Sequence, residues 1–279
     1  MPLIKKILFP VDFSDSCLGA SRYVEAFAGH FEAEIMFLHI VGMGEHNLAE
    51  DLLPLRQRQL DAFMVEEFKH FSTHRYCVIG DDPAAEIVSA AGRWSPDLVM
   101  MPTHGLGVFR RLLLGSVTSK VLHDLDCPVW TGVHAETAPR LEAIHCRRIW
   151  CALDLSARSQ NVLQWASWLA GQRDADMGIA HVIPDLPPAL YGEQLEAELV
   201  QSLAEHAQAQ VRSLLAATGT SGDVLIEAGD PAKVVAGIAR RFAADLLVMG
   251  RHSQTGMAGY LRHNAYSILC DSPCPVISI

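Results

Sequence analysis

The sequence predicts an α/β protein of two doubly wound, open parallel-sheet domains related by an internal repeat. Three observations predict it. Short apolar runs alternate with amphipathic stretches along the whole chain, the apolar runs lack period-2 alternation, and one ordered set of motifs occurs twice. Runs such as Ile7-Leu-Phe and Leu98-Val-Met-Met suit parallel strands covered on both faces. Strand–helix alternation implies crossover connections and an open sheet.

The repeat fixes the elements. Ile7-Leu-Phe-Pro-Val-Asp12-Phe-Ser14 matches Ile149-Trp-Cys-Ala-Leu-Asp154-Leu-Ser156, and Leu38-His39-Ile40 matches Ala180-His181-Val182. Gly80-Asp-Asp82-Pro83-Ala84 matches Gly229-Asp230-Pro231-Ala232, Asp97-Leu-Val-Met-Met101 matches Asp245-Leu-Leu-Val-Met249, and Cys127-Pro128-Val129 matches Cys274-Pro275-Val276. In the first copy, strands are expected over 5–10, 34–41, 75–79, 97–102 and 127–132, with helices over 15–30, 49–71, 83–93 and 114–124. The second copy repeats this with strands over 147–153, 177–183, 223–228, 245–250 and 275–279. Its helices are expected over 157–171, 190–217, 231–242 and 258–270. Ser14 and Ser156 stand where N-caps are needed. Asp82-Pro83 and Asp230-Pro231 place a cap before proline at the first helical position, where its missing N–H does no harm. The charged, proline-bearing stretch from about 134 to 146 reads as a linker, so the domains are expected over 1–137 and 145–279.

Composition narrows the function. With 279 residues, half of them apolar, each half has enough apolar chain for its own core. A net charge of −10 argues against general binding to nucleic acid or anionic membranes. The seven cysteines form no even-spaced disulfide framework. The chain opens Met-Pro-Leu-Ile-Lys-Lys without a signal peptide, and no apolar run approaches the ~20 residues of a membrane span. A cytoplasmic location is the expectation.

The chemistry concentrates after the fourth strand. Pro102-Thr103-His104-Gly105 is followed by Gly115-Ser116 at the start of a helix. Glycine lets backbone approach a ligand closely, and a helix start offers unpaired N–H groups and a positive dipole end to phosphate. In the second copy Gly250 remains, but Ser253 replaces the next glycine, and His263-Asn264 or Arg262-His263 stands where Gly-Ser would be.

These motifs, in this order and duplicated, resemble a tandem universal stress protein over nearly the whole chain. The residues that carry the likeness are Pro10-Val-Asp12-Phe-Ser14, Leu38-His39-Ile40, the Gly-x9-Gly-Ser turn and the Cys-Pro-Val strand. The resemblance implies a Rossmann-like fold of the adenine nucleotide alpha hydrolase kind and an adenine-nucleotide pocket in the first half, with ATP, accompanied or not by Mg²⁺, as the ligand. By position, Asp12 faces the nucleoside, while Pro10, Val11 and Ile40 line the adenine slot. Met101, Thr103, His104 and Gly105 flank the ribose and phosphates, and Gly115, Ser116, Val117 and Thr118 bind the phosphates. It also implies that the two domains pair antiparallel through their fifth strands, which hides two edges, and that two chains associate as a homodimer.

Pro102 departs from the family pattern, which has glycine there. If that glycine donates to the ligand or takes positive φ, proline weakens the site; if only a tight strand exit is needed, proline serves. Asp12 and Asp154 have loop positioning as their plain alternative, and Ser116 has simple N-capping. Arg110 and Arg111 lie in the loop between the glycines, within reach of a phosphate tail or simply solvated. Arg251, His252, Arg262 and His263 read as solvated surface rather than as an anion site.

The matched His39 and His181 suggest a shared structural role. No metal-ligand spacing appears, and neither does a Gly-x-Ser-x-Gly elbow or a lysine-bearing P-loop. Nucleotide hydrolysis needs a positioned water and charge neutralisation, and no general base is evident. The expectation is a stress-response regulator that binds nucleotide without efficient turnover. A nucleotide-free interaction protein of the same fold and a slow ATPase are the alternatives.

Overall fold

The computed structural model describes residues 3–42, 49–104, 114–132, 135–185, 193–251 and 258–279. The chain divides into two compact units, Met1–Ile144 and His145–Ile279. In the first unit, strands β1 (Lys6–Pro10), β2 (Glu34–Val41), β3 (Thr73–Ile79), β4 (Leu98–Pro102) and β5 (Val129–Gly132) form a parallel sheet in the order β3-β2-β1-β4-β5. The second unit repeats it with β6 (Arg148–Leu153), β7 (Asp176–Pro184), β8 (Asp223–Gly229), β9 (Leu246–Met249) and β10 (Val276–Ser278), in the order β8-β7-β6-β9-β10. In each unit the order reverses between the first and fourth strands, which is where open α/β sheets hold ligands.

The helices are α1 (Asp15–Phe31), α2 (Ala49–Asp61), α3 (Val65–Phe68), α4 (Pro83–Trp94), α5 (Ser116–Asp124), α6 (Ser159–Arg173), α7 (Glu193–Thr218), α8 (Pro231–Arg241) and α9 (Ala258–Asp271). Helix α1 shows why they pack. Cys17, Ala20, Val24, Phe27, Ala28 and Phe31 recur at helical spacing and are buried, giving one apolar stripe toward the sheet. Small residues do the same in α4 and α8, where Ala84, Ile87, Ala90 and Ala91, and Ala232, Val235, Ala236 and Ala239, lie against the sheets. No helix among the described residues is long and apolar enough to cross a membrane.

Several details repeat between the units. Asp97, just before β4, accepts the amides of Lys5 and Lys6 at 2.8 and 2.9 Å; Asp245, just before β9, accepts those of Arg147 and Arg148 at 2.9 and 3.0 Å. Each aspartate thereby ties the start of the first strand to that of the fourth. Asp82 and Asp230 accept from Ala85 and Lys233 and cap α4 and α8, with proline next, as the sequence predicts.

Three expectations differ. The single helix over 49–71 is two, because Met64 adopts φ +47° between α2 and α3. Ser14 caps α1, but Ser156 does not cap α6. That helix begins at Ser159 behind Arg158, with no side-chain cap. The stretch read as a linker is bound to the first unit: residues 135–137 and 141–143 form 3₁₀ turns, and Arg22 of α1 donates to Ala138 O at 2.6 Å.

Candidate functional site

At the carboxyl end of β1 the chain passes through Pro10, Val11 and Asp12. Val11 N donates to Leu38 O at 2.8 Å, and Val11 O accepts from His39 Nδ1 at 2.7 Å, so β1 and β2 stay joined past the ladder. Because a carbonyl only accepts, His39 carries its proton on Nδ1. Burial holds the His39 pKa below the ordinary imidazole value, against the opposing pull of the Val11 carbonyl. His181 makes the same contact to Leu153 O at 2.9 Å, so the shared structural role read from the sequence is met.

Asp12 Oδ1 accepts from Ser14 N at 3.0 Å and Ser14 Oγ at 2.6 Å, and Ser14 Oγ accepts from Cys17 N at 3.1 Å. Between them Phe13 takes φ +62° and sets its ring 4.7 Å from that of His39. Leu155 takes φ +56° at the matched place, and Asp154 Oδ1 accepts from Ser156 N and Ser159 Oγ at 3.0 Å each. Both aspartates therefore position their loops. The Asp-x-Ser spacing carried that signal, while the left-handed residue between them left none. The burial around Cys17, with the Asp12 charge as a second cause, pushes that thiol up to about 12. It is no nucleophile at neutral pH.

Pro102 ends β4 opposite Gly132, and Thr103 N donates to Gly132 O at 3.2 Å. Arg251 N repeats this bond to Ile279 O at 2.9 Å in the second unit. Gly250, the counterpart of Pro102, is not among the glycines at positive φ. The strand exit therefore makes no left-handed demand there, and proline fits it. Met101 and Thr103 are buried, and His104 is half-buried with Nδ1 enclosed and unpartnered. Ile40 lies half-buried near the end of β2. Gly105, Arg110, Arg111, His252 and Ser253 lie outside the described residues, as do the side chains of Arg262 and His263.

Helix α5 begins here. Its N-cap is Gly115, which supplies no side chain, and among the described residues no side-chain cap is made to its first turn. The amides of Ser116, Val117 and Thr118 precede the first intrahelical bond, Ser119 N to Gly115 O at 2.8 Å. Ser116 is exposed and is not the N-cap. Two expected phosphate donors are already used: Gly115 N donates to Thr103 O at 2.8 Å, and Thr118 Oγ1 donates to Pro102 O at 3.1 Å. A Cβ on Gly115 would lie 3.1 Å from Thr103 O, closer than an ordinary contact, so glycine suits this approach. Thus Pro10, Val11, Asp12, Ile40, Met101, Thr103, His104 and the α5 first turn all sit at the carboxyl ends of the strands in one unit.

At the matched strand end the second unit carries Arg251. Arg251 is only 8 % exposed, which corrects the expectation of a solvated side chain. It takes the strand-end place of Thr103, which is also buried. Among the described residues no group of three or more His, Cys, Asp or Glu side chains is placed to hold a metal ion.

The sequence profile of the Universal stress protein family matches residues 3–131 and again 145–279. The chain belongs to this family. Relatives within it include universal stress protein MJ0531 of Methanocaldococcus jannaschii, 33% identical over 141 residues, covering 46% of this chain and 81% of that protein. Universal stress protein A homolog 1 of Coxiella burnetii is 28% identical over 141 residues, covering 49% of this chain and 97% of that one. Each of these aligns with about half of the chain. A universal stress protein structure from Archaeoglobus fulgidus superposes over 99% of this chain and 96% of its own, with a TM-score of 0.73 and 21% identity, and shares the fold.

Proposed function

We propose that the first unit binds an adenine nucleotide, ATP with or without Mg²⁺, and that the chain is a stress-response regulator whose partners depend on the bound nucleotide rather than an efficient catalyst. The α5 first turn carries this reading. Its three leading amides have no side-chain cap among the described residues, and the glycine before them brings the turn close to the strand end. That is a cradle for phosphate built from backbone donors and a helix dipole. The residues present fit the ligand: Ser116 adds an exposed hydroxyl, and the ends of β1 and β2 supply the apolar Val11 and Ile40 for a base. Asp12, already oriented by Ser14, stands to meet a ribose hydroxyl or a cation. Thr118 acts by holding the turn against Pro102. Turnover lacks an evident general base.

Calorimetric titration with ATP, ADP and adenosine, with and without Mg²⁺, tests this. Saturable heat is expected, with a rise in melting temperature that follows ligand concentration. Gly115→Ala is expected to weaken ATP far more than it destabilises the fold. No heat and no thermal shift at millimolar nucleotide would leave the nucleotide-free interaction protein as the reading. The family likeness also carries pairing of the fifth strands and a homodimer as proposals, tested by sedimentation of the full chain against a variant with Val129→Pro.

A further inference from the structure

Strand β3 ends the first unit's sheet, and among the described residues no strand lies beside one side of its backbone. Its sequence, Thr-His-Arg-Tyr-Cys-Val-Ile, is rich in β-branched and aromatic residues, contains neither proline nor glycine, and leaves Tyr76 50% exposed. An edge of this composition is a template for another strand. A side chain covers the middle of this edge. Gln57 of α2 donates from Nε2 to Arg75 O at 3.1 Å and accepts on Oε1 from Cys77 N at 3.0 Å. Nε2 also donates to Asp61 Oδ1 at 2.8 Å, which fixes which end of the carboxamide is the donor.

The carbonyl of residue 75 and the amide of residue 77 are the two groups that a residue of a further parallel strand, opposite Tyr76, would bond. The Gln57 carboxamide takes both places. Its helix is pinned there, because Arg75 Nη1 donates to Leu60 O and Phe63 O at 2.5 and 2.7 Å while its guanidinium lies 4.5 Å over the Phe37 ring.

We propose that Gln57 closes a latent strand-addition surface on β3, and that the strand this surface accepts is β3 of a second copy of the chain. Antiparallel pairing about Tyr76 sets Arg75 against Cys77, His74 against Val78 and Thr73 against Ile79, with no like charges opposed. The outward amides and carbonyls of residues 75 and 77 then satisfy one another across a two-fold axis. Those groups include both that Gln57 holds, so guard and partner exclude each other.

The test uses the full chain. In the wild type, hydrogen exchange at the Cys77 amide is expected to be slow for an edge position; exchange at the rate of an open edge overturns the guard outright. Gln57→Leu removes both hydrogen bonds at similar volume. In dilute solution it is expected to speed Cys77 exchange by roughly tenfold, the equivalent of one lost hydrogen bond. On concentration it is expected to add an association step absent from the wild type in sedimentation velocity, with protection at Cys77 returning. Adding Tyr76→Lys to this variant places charge on the edge and is expected to abolish the step. Unchanged sedimentation of Gln57→Leu at every concentration overturns the proposal. An added species that survives Tyr76→Lys overturns the assignment of β3 as its surface.

Discussion

Trp150 and Gly178 are paired in register across β6 and β7, where the first unit pairs Leu8 with Met36 across β1 and β2. A Cβ on Gly178 would fall 2.5 Å from the indole, so the large residue requires the small one. A large side chain beside none at all thus stands where the first unit pairs two of middle size. Gly178→Ala is expected to cost about 1–3 kcal/mol by overpacking, read from urea unfolding, and Trp150→Leu in the same chain should recover part of it. His39 offers a pH test of its buried contact. Its folded pKa is lowered, so the unfolded chain binds the proton more readily. The stability this contributes is complete above the ordinary imidazole value of about 6.5 and is lost as pH falls below it. His39→Asn keeps a donor toward Val11 O without the titration, and its unfolding free energy is expected to vary less with pH in that window.

Helix starts separate the two copies at the scale of elements. Ser14 caps α1 and is held by Asp12, whereas Ser156 sits three residues ahead of α6, where its hydroxyl accepts from Arg158 N at 3.4 Å and its carbonyl from Ser159 N at 3.0 Å. Ser14→Ala is expected to cost about 1 kcal/mol, and Ser156→Ala less than about 0.5 kcal/mol, in the same denaturation experiment. Equal losses would mean that the matched serines do matched work. Helix α5 departs in the other direction. A glycine cap gives up the side-chain acceptor that Ser14, Asp82 and Asp230 provide elsewhere.

For the molecule as a whole, two units share one plan, and among the described residues the candidate cradle lies in the first. Nucleotide titration is therefore expected to give one site per chain. A stoichiometry of two would move the proposal to the second unit as well, where Arg251 is buried at the strand end. Much of this was legible in the sequence. Strand runs, the repeat, the Asp-Pro helix starts and the Gly-Ser turn are local patterns, and each falls on the element or turn expected of it. Less legible were the break at Met64, the late start of α6, the burial of Arg251 and the capture of the Gly115 amide and Thr118 hydroxyl by the end of β4. The last of these joins residues 12 and 16 positions apart, which no local pattern records.

The sequence by itself determined the fold class, the duplication and the place of the candidate site, because apolar periodicity and turn residues act over a few positions and are written twice. Tertiary structure alone decided which polar groups remain available. Whether Gly115 N or Ser116 N meets a ligand depends on which carbonyl lies within about 3 Å, and whether the edge of β3 is open depends on where the Gln57 carboxamide lands. Hydrogen-bond partners are fixed by distances between elements, and those are set by packing.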